Sequence, residues 1–322
     1  MQAIQILSPG GADALTLVDI PKPTPGPGQA LVRIEAAGIN FIDVYLREGR
    51  YPAPLPYTLG QEAAGVVESV GDGVTLVRPG DRVAWCSVPG TYAQFAVAPA
   101  DRLIHIPAGV TTEQAAAAML QGMTAHYLAD STYPIHKGDQ VLIHAGAGGV
   151  GLLLTQIAKS LGARVFTTVS TEEKAELSRA AGADEVILYA QGDFAEKVKV
   201  LVEGPGLHAI YDSVGKATFE ESLTCLRPRG TMVLFGGSSG AVPPFDLIRL
   251  STMGSLYVTR PTLKDYTATR TELESRAGDI LNAIANGTLK LRCEHTYPLA
   301  EATQAHRDLE GRKTTGKLLL VP

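Results

Sequence analysis

Short apolar runs separated by turn residues fill the first third of the chain. They fall at Ala3–Leu7, Leu15–Asp19, Ala30–Ala37, Ala63–Val70, Arg82–Trp85, Tyr92–Val97 and Leu103–Ile106. Ser8-Pro9-Gly10-Gly11, the proline-rich stretch from Pro21 to Gly28, Gly71-Asp72-Gly73 and Pro79-Gly80-Asp81 divide them. Many short strands at this spacing predict a barrel-like or sandwich β domain. The pattern changes at Thr111. Thr112–Met119 is alanine-rich and predicts a helix, with Thr111 or Thr112 as its N-cap. After Lys137-Gly138-Asp139 strand and helix alternate regularly. Strands are predicted at 140–145, 164–169, 185–189, 208–212, 231–236 and 255–258, and helices near 150–161, 171–181, 193–202 and 216–226. Six strands with crossover helices describe an α/β, doubly wound parallel sheet. The tail has another texture. A helix is predicted from Asp265 to Asn286, strands at His295–Leu299 and Lys317–Val321, and a short helix from Ala300 to Leu309. Such a tail most simply packs back onto the N-terminal β domain. An active site is then expected in a cleft between the domains, opposite the carboxyl ends of the strands.

One stretch organises the alternating region. Val141-Leu142-Ile143-His144 is too short for a helix and feeds into G-x-G-x-x-G at Gly146, Gly148 and Gly151, with Gly149 and Val150 between. Val150, Leu153, Leu154, Ile157, Ala158 and Leu161 then follow at helical spacing. Strand, glycine turn and helix in this order make a dinucleotide-binding motif. Gly146 is expected to permit the tight turn, Gly148 to let the backbone approach a pyrophosphate, and Gly151 to let helix and strand pack closely. The helix start, with unpaired N–H groups and a positive dipole end, suits a diphosphate. NAD-specific sites place an acid at the end of the second strand, about 20 residues past the glycines. Here Phe166–Thr171 holds none. Ser170 can donate a hydrogen bond and Lys174 can supply charge, with Glu172 and Glu173 as neighbours of the wrong sign. NADPH is therefore the expected cofactor.

Composition changes this picture little. At 322 residues, 45% hydrophobic and 19% charged, the chain is long enough for about two domains. A net charge of −5 offers no basic footprint for nucleic acid. No apolar run approaches the ~18 residues of a membrane span, so no membrane partner is expected. Cys86, Cys225 and Cys293 are widely spaced and form no C-x-x-C. That argues against a disulfide framework and a cysteine-based zinc site, and fits a reducing, cytoplasmic setting. Met1–Leu7 lacks a basic n-region, so no secretory signal is expected.

Several blocks together resemble the quinone oxidoreductases (zeta-crystallin-like) of the medium-chain dehydrogenase/reductase superfamily. They are Gly38–Tyr45 with Tyr51-Pro52, Leu59–Gly65, Val77–Val83, the glycine loop, Tyr211–Gly215, Phe235–Gly240 and Arg260-Pro261. The resemblance implies a GroES-like β-rich domain over 1–122 and 262–322, a Rossmann domain over 123–261, and a homodimer. It implies NADPH-dependent reduction of a small quinone, or alternatively of an enone or 2-alkenal double bond. Zinc alcohol dehydrogenases resemble the chain too, but carry cysteine where Asn40 stands and histidine where Gln61 stands. A catalytic zinc needs about three N, S or O ligands, so no metal is expected. By resemblance Ser170, Lys174 and Tyr189 surround the 2′-phosphate, while Val214, Gly215, Phe235, Gly236 and Ser238 line the nicotinamide end. Thr124 lies beside the nicotinamide. Asn40 and Tyr45 become candidate catalytic donors to the acceptor oxygen. Tyr51 and Arg260 border the acceptor pocket, and Asp43 joins them by orienting its neighbours. His126 and His144 receive no role. Family members also serve as lens crystallins, and some bind nucleic acid. The intact glycine loop favours an enzyme over such a binding or structural role.

Overall fold

The computed structural model describes residues 1–189 and 193–322, which divide into two units: Met1–Met123 with Thr267–Pro322, and Thr124–Tyr266. In chain order the first unit contributes β1 (Gln2–Ile6), β2 (Thr16–Asp19), β3 (Gln29–Ile39), α1 (Phe41–Arg47), β4 (Tyr57–Thr58), β5 (Glu62–Val70), β6 (Arg82–Cys86), β7 (Phe95–Pro99) and β8 (Ile104–His105). The helix α2 (Thr112–Tyr127) follows. Alternation along the strands puts Ile4, Val32, Ile34, Trp85 and Leu103 into one core, each side chain contributing roughly 1.5–3 kcal/mol of burial. Thr111 proves to be the cap of α2. Its hydroxyl accepts from Gln114 N at 3.1 Å, and Gln114 Oε1 accepts from Thr111 N at 2.9 Å.

The second unit holds β9 (Gln140–His144), α3 (Gly149–Ser160), β10 (Arg164–Val169), α4 (Glu172–Ala180), β11 (Glu185–Leu188), α5 (Phe194–Leu201) and β12 (Leu207–Asp212). It continues with α6 (Phe219–Leu223), β13 (Leu226–Leu234), α7 (Ile248–Thr252), β14 (Tyr257–Thr259) and α8 (Leu263–Tyr266). The parallel sheet has the order β11-β10-β9-β12-β13-β14, the doubly wound arrangement the alternation predicts. Strand order reverses between β9 and β12, and ligands of such sheets bind beyond the carboxyl ends at that point. Val141, Leu142 and Ile143 are fully buried because helices cover both faces of a parallel sheet.

The chain then returns to the first unit with α9 (Arg270–Ala285), β15 (His295–Pro298), α10 (Ala302–Glu310) and β16 (Leu318–Val321). β16 pairs antiparallel with β3, Leu318 opposite Ile39, and completes the sheet order β15-β16-β3-β5-β6-β8, while β7 pairs with β3. Among the described residues no helix is long and apolar enough to cross a membrane.

Four differences from the sequence pattern have local causes. The helix expected over Asp265–Asn286 is broken, because Thr269 and Glu272 form a capping box that starts α9 afresh. The helix expected at 216–226 shrinks to α6. Leu226 already pairs with Leu207, and β13 absorbs an irregularity at Arg229, whose φ is 61°. The second unit ends at Tyr266, whose ring stacks on Tyr127 with centroids 4.3 Å apart; the resemblance put that boundary after 261. The seven-residue α1 was not anticipated.

Candidate active site

The second unit's glycine turn is built by contact. Gly146 was expected to supply the tight turn, but the left-handed residue is Ala145, with φ 54°. Gly146 is needed for room instead. A Cβ there would lie 2.6 Å from Thr167 Cβ and 2.9 Å from Ser178 Oγ, so the turn lies directly against β10 and α4. At Gly151 a Cβ would lie 2.3 Å from Ala145 O, which is the close helix–strand approach expected. Gly148, the N-cap of α3, offers no side-chain cap. The first-turn N–H groups of Gly149, Val150 and Gly151 have no acceptor inside the helix, leaving them to bind an anion. These features fit a dinucleotide pyrophosphate.

Ser170 follows β10, and Tyr189 follows β11. The two strands are parallel neighbours with Val169 opposite Leu188, so both residues leave the sheet side by side. Lys174 sits in the first turn of α4, where its backbone N–H donates to the capping Thr171 hydroxyl at 3.3 Å. Glu172 is paired with Arg179 at 2.6 Å, which offsets a charge that would oppose a phosphate. Beyond β12 and β13, one residue that sequence reasoning passed over joins two loops. Asp212 is fully buried and accepts from Val214 N at 2.6 Å, Gly215 N at 3.0 Å and Thr218 Oγ1 at 2.7 Å. Its carbonyl accepts from Phe235 N at 2.8 Å, and Ser238 N donates to Ser213 O at 3.1 Å. Val214, Gly215, Phe235, Gly236 and Ser238 are thereby brought together. A Cβ on Gly236 would meet Ser213 O at 2.6 Å, so the two loops touch through backbone. Thr124 is buried on α2, and the charge of Arg260 bears on Tyr127 one turn further along that helix. His144 accounts for both ring nitrogens internally, with Thr168 Oγ1 at 2.8 Å and Ser222 Oγ at 2.9 Å, and burial holds its pKa below the usual value.

In the first unit α1 gathers the acceptor-side candidates. Tyr45 is nearly buried and meets Tyr51 edge-to-face, ring centroids 5.7 Å apart. The Arg50 guanidinium lies 5.2 Å from the Tyr45 ring centroid. Tyr51 is 41% exposed. Two candidates are placed otherwise than expected. The Asn40 amide nitrogen donates to Glu62 Oε2 at 2.9 Å and Gly38 O at 3.3 Å, which uses both of its hydrogens inside the chain. Asp43, expected beside substrate, has no exposed surface. As the third residue of α1 it turns back to accept from Asn40 N at 2.8 Å, and it accepts from Tyr92 Oη at 3.0 Å. Burial raises its pKa to about 7.

A second buried series follows from Tyr92. Tyr92 Oη lies 3.2 Å from His306 Nε2, and His306 Nδ1 lies 2.9 Å from an Arg47 nitrogen. Arginine cannot lose its proton, so Nδ1 accepts, Nε2–H donates to Tyr92, and Tyr92 donates to Asp43. Burial, then the Arg47 charge, lowers the His306 pKa to about 3. Arg47 also holds Glu310 at 2.5 Å. Gln61 donates to Tyr57 Oη at 2.8 Å. Among the described residues no group of three or more His, Cys, Asp or Glu is placed to hold a metal.

Residues 26–108 match the alcohol dehydrogenase GroES-like domain, and residues 149–274 match the zinc-binding dehydrogenase family. A quinone oxidoreductase of Pseudomonas aeruginosa is 46% identical over 321 residues, covering 99% of both chains. A 2-haloacrylate reductase of a Burkholderia species is 42% identical, covering 100% of this chain and 99% of its own. The crystal structure of Escherichia coli quinone oxidoreductase complexed with NADPH superposes with a TM-score of 0.98 at 44% identity, covering 100% of each chain. The chain belongs to the quinone oxidoreductase family of the medium-chain dehydrogenase/reductase superfamily.

Proposed function

We propose that the protein is an NADPH-dependent quinone reductase that works without metal. The observation that carries the cofactor choice is the acid-free end of β10, where Ser170 stands beside Tyr189 and Lys174 lies one helical turn on. Gly149, Val150 and Gly151 present backbone N–H groups to the pyrophosphate, while Gly146 and Gly148, whose own N–H donates to Ala145 O at 2.9 Å, give the backbone room beside it. Ser170, Lys174 and Tyr189 receive the 2′-phosphate. The nicotinamide end rests against Val214, Gly215, Phe235, Gly236 and Ser238, with Thr124 beside it. NADPH, when bound, supplies a hydride equivalent. The Tyr45 hydroxyl is the donor to the acceptor oxygen, and Tyr51 and Arg260 border the acceptor. Asn40 acts by holding the start of α1, since its amide hydrogens are engaged. Neither Asn40 nor Gln61 is a usual zinc ligand, which supports metal-free turnover. The likeness to a 2-haloacrylate reductase supports a second reading, reduction of an activated double bond.

The deciding experiment is NADPH oxidation by chelator-treated protein, with 1,4-benzoquinone against an α,β-enone of similar size. Quinone turnover that survives chelation is expected. Turnover with the enone alone would transfer the protein to the second reading. With Ser170→Ala and Lys174→Ala combined, the preference for NADPH over NADH is expected to fall by about tenfold or more, the loss of one charge-assisted hydrogen bond. An unchanged preference would remove the 2′-phosphate assignment.

The protein acts as a homodimer in the cytoplasm. The three free thiols fit a reducing compartment. β14 ends the parallel sheet, and Tyr257 is 62% exposed, with Leu247 and Ile248 of the same unit at 73% and 63%. A sheet edge with apolar neighbours favours a second copy of the chain as cover. Light scattering is expected to give the mass of two chains, and Tyr257→Lys with Val258→Glu to give one. A single-chain mass for the unaltered protein would refute the dimer.

A further inference from the structure

Two opposite charges adjoin buried apolar runs, Glu62 at the head of β5 and Lys317 just before β16. The order β16-β3-β5 brings them together at the end of β3. Leu318 lies opposite Ile39 and Ala63 opposite Ala37, so Lys317, Asn40 and Glu62 converge. The Lys317 ammonium bonds to Glu62 Oε2, and their side chains are 2% and 0% exposed. Such a pair persists only where further hydrogen bonds satisfy it. Glu62 Oε2 also accepts from Asn40 Nδ2, and Glu62 Oε1 accepts from Leu120 N of α2 at 2.5 Å. Gly38 makes the room. A Cβ there would lie 2.3 Å from Glu62 Oε2 and 2.7 Å from Lys317 Cε.

The chemistry of the cluster fixes one direction. Lysine only donates, and Lys317 Nζ lies 2.7 Å from the Asn40 side chain, so the atom facing it must be the oxygen. Gln121 Nε2 donates to that same oxygen at 3.3 Å. The Asn40 amide is therefore locked in one rotation, with its nitrogen toward Glu62 and Gly38.

We propose that Lys317 is a positioning residue for the reaction: its ammonium fixes the Asn40 amide and with it the start of α1, the helix that carries Tyr45. Its part in turnover rests on the quinone-reductase reading. Its part in ordering α1 does not. Lys317→Met alone leaves Glu62 as a buried unpaired carboxylate, and that variant can fail to fold. The informative protein is Glu62→Gln with Lys317→Met, which removes both charges while keeping an acceptor for Leu120 N. Neutral replacement of a whole buried pair is often tolerated. Its melting temperature is expected to stay near that of the parent. Its kcat with 1,4-benzoquinone is expected to fall by up to about 100-fold, the effect of an ångström-scale displacement, with KM for NADPH unchanged. Amide hydrogen exchange in the apo protein is expected to quicken at residues 41–44 while α9 keeps its protection.

Parental kcat in the folded double variant, with parental exchange at 41–44, would show that the pair only holds the fold. Should the parent protein reduce no quinone, the function is wrong, and hydrogen exchange still decides whether Lys317 orders α1.

Discussion

Gly151→Ala is expected to weaken NADPH binding by about 100-fold. The added Cβ would lie 2.3 Å from Ala145 O and 3.0 Å from Gly146 Cα. Both are backbone atoms of the turn, so neither can rotate away as a side chain would. Overpacking of this kind costs roughly 1–3 kcal/mol, and each 1.4 kcal/mol is tenfold in binding. Because the strained atoms belong to the turn proposed to hold the pyrophosphate, the strain is expected to fall on the bound geometry. Gly148→Ala is the companion. There the one atom a Cβ would meet within 4 Å is Ala145 O, at 3.2 Å. Gly148→Ala should leave the melting temperature nearly unchanged and weaken binding through the ligand side, whereas Gly151→Ala should lower both. Calorimetric titration with NADPH beside a thermal melt separates the two. Parental affinity in Gly151→Ala would mean that the dinucleotide does not use this turn.

Arg47→Met is expected to destabilise the first unit by about 3 kcal/mol at pH 7. Removing one member of a buried pair costs roughly 3–5 kcal/mol. The lower figure applies because Glu310 keeps 31% of its side chain in water, although Arg47 itself is fully buried. The pH dependence identifies the cause. His306 is held near 3 in the folded protein against about 6.5 unfolded, so the unfolded chain binds the extra proton. Its stabilising contribution is present above 6.5 and is lost as pH falls toward 3. Asp43 runs the other way. Its pKa is raised from 3.8 to about 7, so the folded chain takes the proton first and acidification through that window favours folding. Without Arg47 the repulsion on His306 is gone and its pKa rises, which shrinks the acid loss. The stability gap between parent and Arg47→Met should therefore narrow from pH 7 to pH 5. Denaturant unfolding followed by the fluorescence of Trp85, the one tryptophan and fully buried in this unit, measures it. A gap that is constant or widens would refute the assignment of His306.

Local signals carried most of the second unit. Its strands are short runs rich in apolar and β-branched residues, its helices have helical spacing, and the glycines of the turn lie within six residues of one another. The doubly wound sheet is therefore legible in the sequence. The turn's mechanics were not, because nothing in Ala145-Gly146 says which residue takes the positive φ. In the first unit, α1 is seven residues long and lies between Ile39 and Gly49 without room for a repeating pattern. The partners of Asp43 were not legible for the same reason, since a residue's direction on one short helix decides between the surface and the interior. The Lys317–Glu62 pair spans 255 residues, and no local window contains both. A signal existed nonetheless: Glu62 precedes the apolar run Ala63–Val67, and Lys317 precedes the apolar run Leu318–Val321.

The pairing of β16 with β3 has a consequence for how the protein is made. As a chain leaves the ribosome, the second unit has all its strands as soon as β14 has emerged. The first unit must wait with the Ala37–Ile39 part of β3 uncovered on that side, because β16, which pairs there, follows the whole second unit in the chain. Pairings between distant segments are slow to form and leave strand edges exposed meanwhile. Nascent chains halted before Gly316 should show a protected nucleotide-binding half and a protease-sensitive β half. Emergence of β16 should then close both the sheet and the Lys317–Glu62 pair.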